Sequence, residues 1–314
     1  SPLILICCSS PTEVGVISHL IYINVQGEIF MINFITTTSD YSLSLLQKYR
    51  QGVVHSIYRK TINLLMGTHI LSLQAADSPK SPLSLITTCT AEEMKTLPVK
   101  KNNSVIFTEN MLQIGDNCYF SIKDVVSHNL ELHGALSDKE ICKLKDTILS
   151  ILSAQEKGSF ELLFSHPEKA DDILFLSAAK KWLEDASHAL SISNWEESAQ
   201  SLCRLIGLGL GLTPGGDDFL CGVLAGIIFS NKETHPFSLI LRQKISESLL
   251  NTNEISRAFL QCALEDQFSM AVCSLSNLPD SKKILTDFSS IGHSSGTDTL
   301  CGIEYIFQNL HYLI

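Results

Sequence analysis

Short runs rich in β-branched and aromatic residues, broken by polar residues, glycine or proline, fill roughly the first 125 positions: VISHLIYINV, EIFMINFITTT, GVVHSIYRKTINLL, HILSLQ, PLSLITT, SVIFTENMLQI and CYFSI. Runs of this length with these breaks predict strands of a small β-barrel or sandwich. One helix near DYSLSLLQKYRQ interrupts them, and AADSPKSP (75–82) reads as loop by composition. From about Leu136 the period changes. SDKEICKLKDTILSIL places Ile141, Leu144, Ile148, Leu149 and Leu152 on one helical face, and Ser137 with Glu140 has the spacing of a capping box. Helical patterns continue through EKADDILFLSAAKKWLEDASHAL, NWEESAQSLCRLI, FSLILRQKISESLL, EISRAFLQCALEDQFSMAVCSL and KKILTDF. The expected fold is α+β: a β-rich domain over 1–134, then a mostly α-helical domain over 135–314.

Two octets stand out in the second half. GGDDFLCG (215–222) and SGTDTLCG (295–302) align without a gap and share Gly216/Gly296, Asp218/Asp298, Leu220/Leu300, Cys221/Cys301 and Gly222/Gly302. Each opens a helix. The first helix is apolar all round after its two aspartates, which predicts a central buried position, and Gly222 with Gly226 would let another backbone come close. A glycine turn entering a buried helix offers unpaired backbone N–H groups and the positive end of the helix dipole, the makings of an anion site or oxyanion hole. Thr213 is expected as N-cap with Pro214 at the first helical position, and Ser295 with Asp298 has capping-box spacing. The plainer reading is that the acids complement the dipole and the glycines make turns. Repetition favours function: a buried carboxylate without a partner is costly, and here the arrangement is written twice.

Composition narrows the partners. With 23 Lys plus Arg against 33 Asp plus Glu, the formal net charge is −10, which repels polyanions, so nucleic acid is not an expected partner. Only five arginines are present (50, 59, 204, 242, 257), so any bidentate anion clamp comes from a short list. The ten cysteines form no CxxC pair and read as small buried hydrophobes in a reducing compartment. SPLILICC lacks a preceding basic segment, and residues 206–229 are broken by glycines and by Asp217 and Asp218. No signal peptide and no membrane span are expected, and a cytoplasmic location is.

GLGLGLTPGGDDFLCGVLAG, followed by TNEISRAFLQCALEDQFS and IGHSSGTDTLCGI, resembles the C-terminal signature of the AllH-like family of oxamate carbamoyltransferase subunits. The resemblance is specific over about 206–305 and weaker in GVVHSIYRKTINLLMGTHILSLQ, which is similar to the family's VHS…N segment. It implies a subunit that, with partner subunits, moves a carbamoyl group: oxalurate plus phosphate giving carbamoyl phosphate and oxamate, in the breakdown of allantoin. It also draws in Asn63, Thr252, Ser256 and Arg257. One departure is Gly215, where the family's loop is expected to carry serine.

Such chemistry assigns roles. Backbone N–H groups around Gly215 to Asp217, Gly216 included, and around Gly296 to Asp298 would polarise the carbamoyl oxygen, Asp218 and Asp298 would accept from its nitrogen, and Thr213 and Ser295 are further candidates for binding the substrate. A unit negative charge about 5 Å from one carboxylate is repelled by roughly 3 kcal/mol at an effective dielectric near 20. Phosphate therefore needs a bridging Mg2+, an arginine or a partner subunit. His55, with Ser56 and Arg59, is a candidate for the carboxylate end; on a strand His55 and Arg59 would share a face, and the plain reading is a satisfied strand histidine and a solvated charge. His293 is a candidate base in a loop. Two alternatives stay open: a metal-dependent amide or phosphoester hydrolase on Asp217, Asp218 and Asp298, and a noncatalytic metabolite-binding subunit of an assembly with other chains or with copies of itself.

Overall fold

The computed structural model describes residues 4–6, 20–23, 29–134 and 136–314. SPLILICC beyond residues 4–6 and most of VISHLIYINV lie outside them. The chain divides into two compact units, Ser1–Leu130 and Glu131–Ile314.

The first unit contains strands β1 (Ile4–Ile6), β2 (Leu20–Ile23), β3 (Ile29–Ser39), β4 (Gln51–Ile57), β5 (Thr61–Met66), β6 (His69–Gln74), β7 (Ser84–Thr87), β8 (Ser104–Thr108), β9 (Met111–Ile114), β10 (Cys118–Ser121) and β11 (Val126–His128), with helices α1 (Asp40–Lys48) and α2 (Ala91–Thr96). Strands pair in the order β3-β10-β9-β8-β4-β5-β6-β7, and β7 pairs back onto β3, closing an eight-stranded barrel. Of the two expected forms, barrel or sandwich, the barrel is realised, and closure leaves no bare edge among those eight strands. Val54, Leu64, Leu71, Leu73, Leu85 and Phe120 are completely buried and alternate with other residues along their strands, as a barrel wall requires. Two sequence runs each fold as a hairpin rather than a single strand. GVVHSIYRKTINLL turns at 58–60, and SVIFTENMLQI turns at Glu109, whose φ of 48° is left-handed. The helix α2 sits where no helix was expected, fixed by a capping box between Thr90 and Glu93.

The second unit is helical: α3 (Asp138–Ser153), α4 (Leu162–Ser165), α5 (Pro167–Ala170), α6 (Leu174–Ser191), α7 (Trp195–Cys203), α8 (Gly215–Phe229), α9 (Pro236–Ser248), α10 (Glu254–Leu264), α11 (Met270–Ser274), α12 (Ser281–Ser289) and α13 (Ser295–Asn309). The Ser137–Glu140 capping box starts α3 as the sequence predicts. The long pattern from Glu168 to Leu190 breaks at 171–173, and the one from Glu254 to Leu275 breaks where Asp266 turns left-handed at φ 58°. The helix α8 is buried except at Asp218 and Cys221, which are half-buried, and so occupies the centre of the unit.

Its partner is α13, and the pairing is built on glycine. A Cβ on Gly222 would strike the carbonyl oxygen of Thr299, and a Cβ on Gly302 would strike that of Phe219. In the octet alignment Gly222 matches Gly302 and Phe219 matches Thr299, so the two contacts are copies related by a local two-fold. Gly226 continues the seam, its Cβ position lying 3.0 Å from Ile306 Cβ. Gly216 and Gly296 are equivalent as well: their Cβ positions run into carbonyls of Leu205, just beyond α7, and Phe288, in the last turn of α12. The repeated element is thus the helix entry with its helix, and the two copies, α8 and α13, pack face to face.

Candidate functional site

The two-fold brings both helix starts to one place. Thr213 Oγ1, ahead of α8, lies 2.8 Å from Ser295 Oγ in the first turn of α13. Asp218 stands beside these two hydroxyls and beside Asp298. In return, Asp298 Oδ2 lies 2.9 Å from where a Cβ on Gly215 would stand. Each octet's aspartate is therefore set against the first residue of the other octet. The convergence of Asp218 and Asp298 expected from the repeat is present.

Both carboxyl groups are held in an unfavourable environment. Asp298 is completely buried; its Oδ1 accepts from the backbone N–H of Phe160 at 3.0 Å, and its Oδ2 has no hydrogen-bond partner. Burial pushes its pKa up to about 7, against the hydroxyls of Ser159 and Ser294 and the Phe160 N–H, which favour the ionised form. Asp218 Oδ2 is likewise buried and without a partner. Desolvation first, and the nearby Asp298 second, hold Asp218 well above the ordinary carboxylate range. Two adjacent carboxyls out of water retain protons that either would lose alone in solvent.

Several expected roles are corrected. Thr213 does not cap α8 and Pro214 is not its first helical residue: Pro214 is the N-cap, and the Thr213 hydroxyl is drawn to Ser295 instead. Ser295 and Asp298 form no capping box, because Ser294 is the N-cap of α13 and Asp298 is bound to Phe160. Three of the expected backbone donors are spent. Gly216 N–H bonds Leu208 O at 2.9 Å, Asp217 N–H bonds Pro214 O at 2.9 Å, and Asp298 N–H bonds Ser294 O at 2.8 Å. Asp217 is also committed. Its Oδ1 accepts from Gly207 N–H at 2.8 Å, and its Oδ2 accepts from Thr252 Oγ1 at 2.5 Å and Ser256 Oγ at 2.6 Å. It pins the glycine-rich loop and the start of α10 to α8. Arg257 holds the carbonyls of Leu249 and Thr252, so the TNEISR segment braces the loop.

The sequence reading missed the stretch Glu156–Glu161. Its Phe160 N–H supports Asp298, and Glu161, completely buried, gathers the N–H groups of Lys157, Gly158 and Ser159 on its carboxylate at 2.5, 2.7 and 3.1 Å. Lys157 Nζ donates to His293 O at 2.7 Å, tying this stretch to the loop that enters α13. The available signal was an acid, Glu161, set among apolar residues three positions after a glycine. His293 itself is exposed.

In the barrel unit, His55, Ser56 and Asn63 come together. His55 Nδ1 lies 3.0 Å from Ser56 Oγ, Asn63 Nδ2 donates to Ser56 Oγ at 3.1 Å, and Ser72 Oγ donates to Asn63 Oδ1 at 2.8 Å. Arg59 does not share the strand face of His55, because β4 ends at Ile57; it is exposed in the turn and pairs with Glu92 at 3.4 Å. Among the described residues, no three His, Cys, Asp or Glu side chains are arranged to hold a metal ion, and no helix is long and apolar enough to cross a membrane.

No solved structure matches the chain. Two family models do: oxamate carbamoyltransferase subunit AllH over residues 205–307, which contains both octets, and the AllH family N-terminal domain over 34–127, which spans the barrel strands from β3 onward. Together they cover most of the sequence, in both of its structural units, and the chain belongs to the AllH family of oxamate carbamoyltransferase subunits.

Proposed function

We propose that the junction of α8 and α13 binds the carbamoyl-bearing substrate of an oxamate carbamoyltransferase, in which carbamoyl phosphate plus oxamate interconverts with oxalurate plus phosphate. The observation that carries this reading is the pair of partnerless oxygens, Asp218 Oδ2 and Asp298 Oδ2, at two converging helix starts. A carboxyl pair that keeps a proton presents a donor and acceptors side by side. A carboxamide presents the complement: an NH2 that donates and a C=O that accepts. Carbamoyl phosphate, oxamate and oxalurate all carry that group.

Asp218 is the half-buried member and makes the contact, with Thr213 and Ser295 beside it; Asp298 lies behind and sets its charge. In transfer to oxamate, the amide nitrogen attacks the carbamoyl carbon, the bond from that carbon to the phosphate oxygen breaks, and the nitrogen's proton leaves with the phosphate, while Asp218 holds the carboxamide. Phosphate is repelled by the carboxylates, and Lys157, whose ammonium spends one N–H on His293 O, offers its remaining donors on that side. A Mg2+ ion is the other remedy. Of the three aspartates only Asp218 and Asp298 keep an oxygen for it, Asp217 having none left, which argues against the three-aspartate hydrolase. The family name carries with it other subunits, which complete the reaction.

The test is thermal unfolding of the full chain with phosphate, carbamoyl phosphate, oxamate and oxalurate, each with and without Mg2+. A ligand at about 100 times its dissociation constant stabilises the fold by about 2.7 kcal/mol. Stabilisation by the carboxamide ligands that disappears in Asp218→Ala is the expected result. A shift by the carboxamide ligands that survives that substitution counts against the assignment.

A further inference from the structure

The barrel holds a second arrangement, argued independently of the twin loops. Neighbouring residues on a strand point to opposite faces, so His55 and Ser56 have no reason to touch. The β4–β5 register shows why they do. Val54 pairs with Leu64 and Ser56 with Asn63, which leaves His55 as the extra residue of a β-bulge. Two residues of β4 then oppose the single Asn63, and the bulge turns the imidazole toward the hydroxyl, 3.0 Å away.

The row continues across the sheet. Ser56 pairs with Asn63, Asn63 with Ser72, and Ser72 with Ser84, so four polar residues line one face, opposite that of Val54, Leu64 and Leu71. Asn63, Ser72 and Ser84 are buried, whereas His55 and Ser56 are half-buried and within reach of a ligand. The hydrogen bonds along the row have a direction. Ser72 donates to Asn63 Oδ1, and Asn63 Nδ2 donates to Ser56 Oγ. With the imidazole proton on Nε2, the Ser56 hydroxyl, its oxygen accepting from Asn63, donates its own proton to His55 Nδ1. A serine whose proton is delivered to an imidazole, and whose oxygen is oriented by a buried amide, is the arrangement that activates a nucleophile.

We propose that Ser56 is a nucleophile with His55 as its base, acting on activated acyl or carbamoyl donors. The Ser56 Oγ–carbonyl carbon bond forms and the bond from that carbon to the leaving group breaks. The serine proton moves to His55 Nδ1 and then to the leaving group. Water or an amine nitrogen afterwards displaces the serine, which recovers its proton. Asn63 is a positioning residue.

The test is reaction of the full chain with 4-nitrophenyl acetate, following nitrophenolate release and locating the acetyl group by peptide mass spectrometry. The expected result is acetylation at Ser56, absent in Ser56→Ala and about a hundredfold slower in His55→Gln, the smaller end of a general base's contribution. In a Ser56→Cys background, alkylation of residue 56 by iodoacetamide is expected to slow when His55→Gln is added, a readout that needs no ester chemistry. Wild-type rates in His55→Gln, or acetylation only at other residues, overturn the proposal and leave the row as a cross-strand tie. Thermal unfolding of each variant separates loss of chemistry from loss of fold.

Discussion

At the scale of single residues, adjacent aspartates have opposite fates. Asp217 is satisfied by three donors, so Asp217→Ala strands the two buried hydroxyls of Thr252 and Ser256 and releases the N–H of Gly207 in its exposed loop. A loss of about 3 kcal/mol or more in urea unfolding is expected, with Asp217→Asn milder. Asp298 acts the other way. Its native pKa of about 7, like that of Glu304, which burial also raises to about 7 and whose Oε2 has no partner, stands above the range an unfolded carboxyl shows. Between roughly pH 4 and pH 7 the native state thus holds protons that the unfolded chain has released, and stability falls as pH rises through that window. Asp298→Asn should remove part of this slope and raise the unfolding free energy in urea at pH about 8 more than at pH about 5, by on the order of a few kcal/mol. An unchanged slope would show that Asp298 ionises in the native state as it does in water.

At the scale of elements, the α8–α13 seam makes the site. Gly302→Ala drives a methyl into the Phe219 carbonyl, and Gly222→Ala does the same at Thr299, backbone that has nowhere to move. Each is expected to cost about 1–3 kcal/mol or more and to separate the two helix starts. Gly226→Ala meets the Ile306 side chain at 3.0 Å and should cost less. Comparing the three by urea unfolding ranks the seam, and loss of ligand-induced stabilisation in Gly302→Ala but not in Gly226→Ala would tie the site to the helix crossing. Gly215 breaks the two-fold: its equivalent, Ser295, places a hydroxyl beside Asp218, whereas nothing at Gly215 serves Asp298 Oδ2.

At the scale of the molecule, the two units have separate cores, one inside a closed barrel and one around α8. Residues 131–314 expressed alone are expected to unfold cooperatively, as a unit of this size with its own core does. They should keep the pH slope attributed to Asp298 and Glu304, since both groups and the neighbours named for them lie in that unit. Featureless unfolding of the fragment would mean that the helical unit depends on the barrel.

The sequence by itself determined the class of each half, because hydrophobic period is local: runs of strand length before about residue 125, helical spacing after Leu136, and the Ser137–Glu140 cap between them. It also determined that two helix entries are copies, because five of eight positions repeat. Hairpins hidden in single runs, the breaks at 171–173 and Asp266, and the bulge at His55 are settled by register and turn geometry, which composition does not encode. Which aspartate is braced and which is left with an open oxygen was decided only by tertiary structure. Asp217 and Asp218 are neighbours in the chain with the same chemistry, yet they leave α8 about 100° apart. That difference in direction delivers Asp217 to Thr252 and Ser256 on another helix start, and Asp218 to a second carboxyl eighty residues away in sequence.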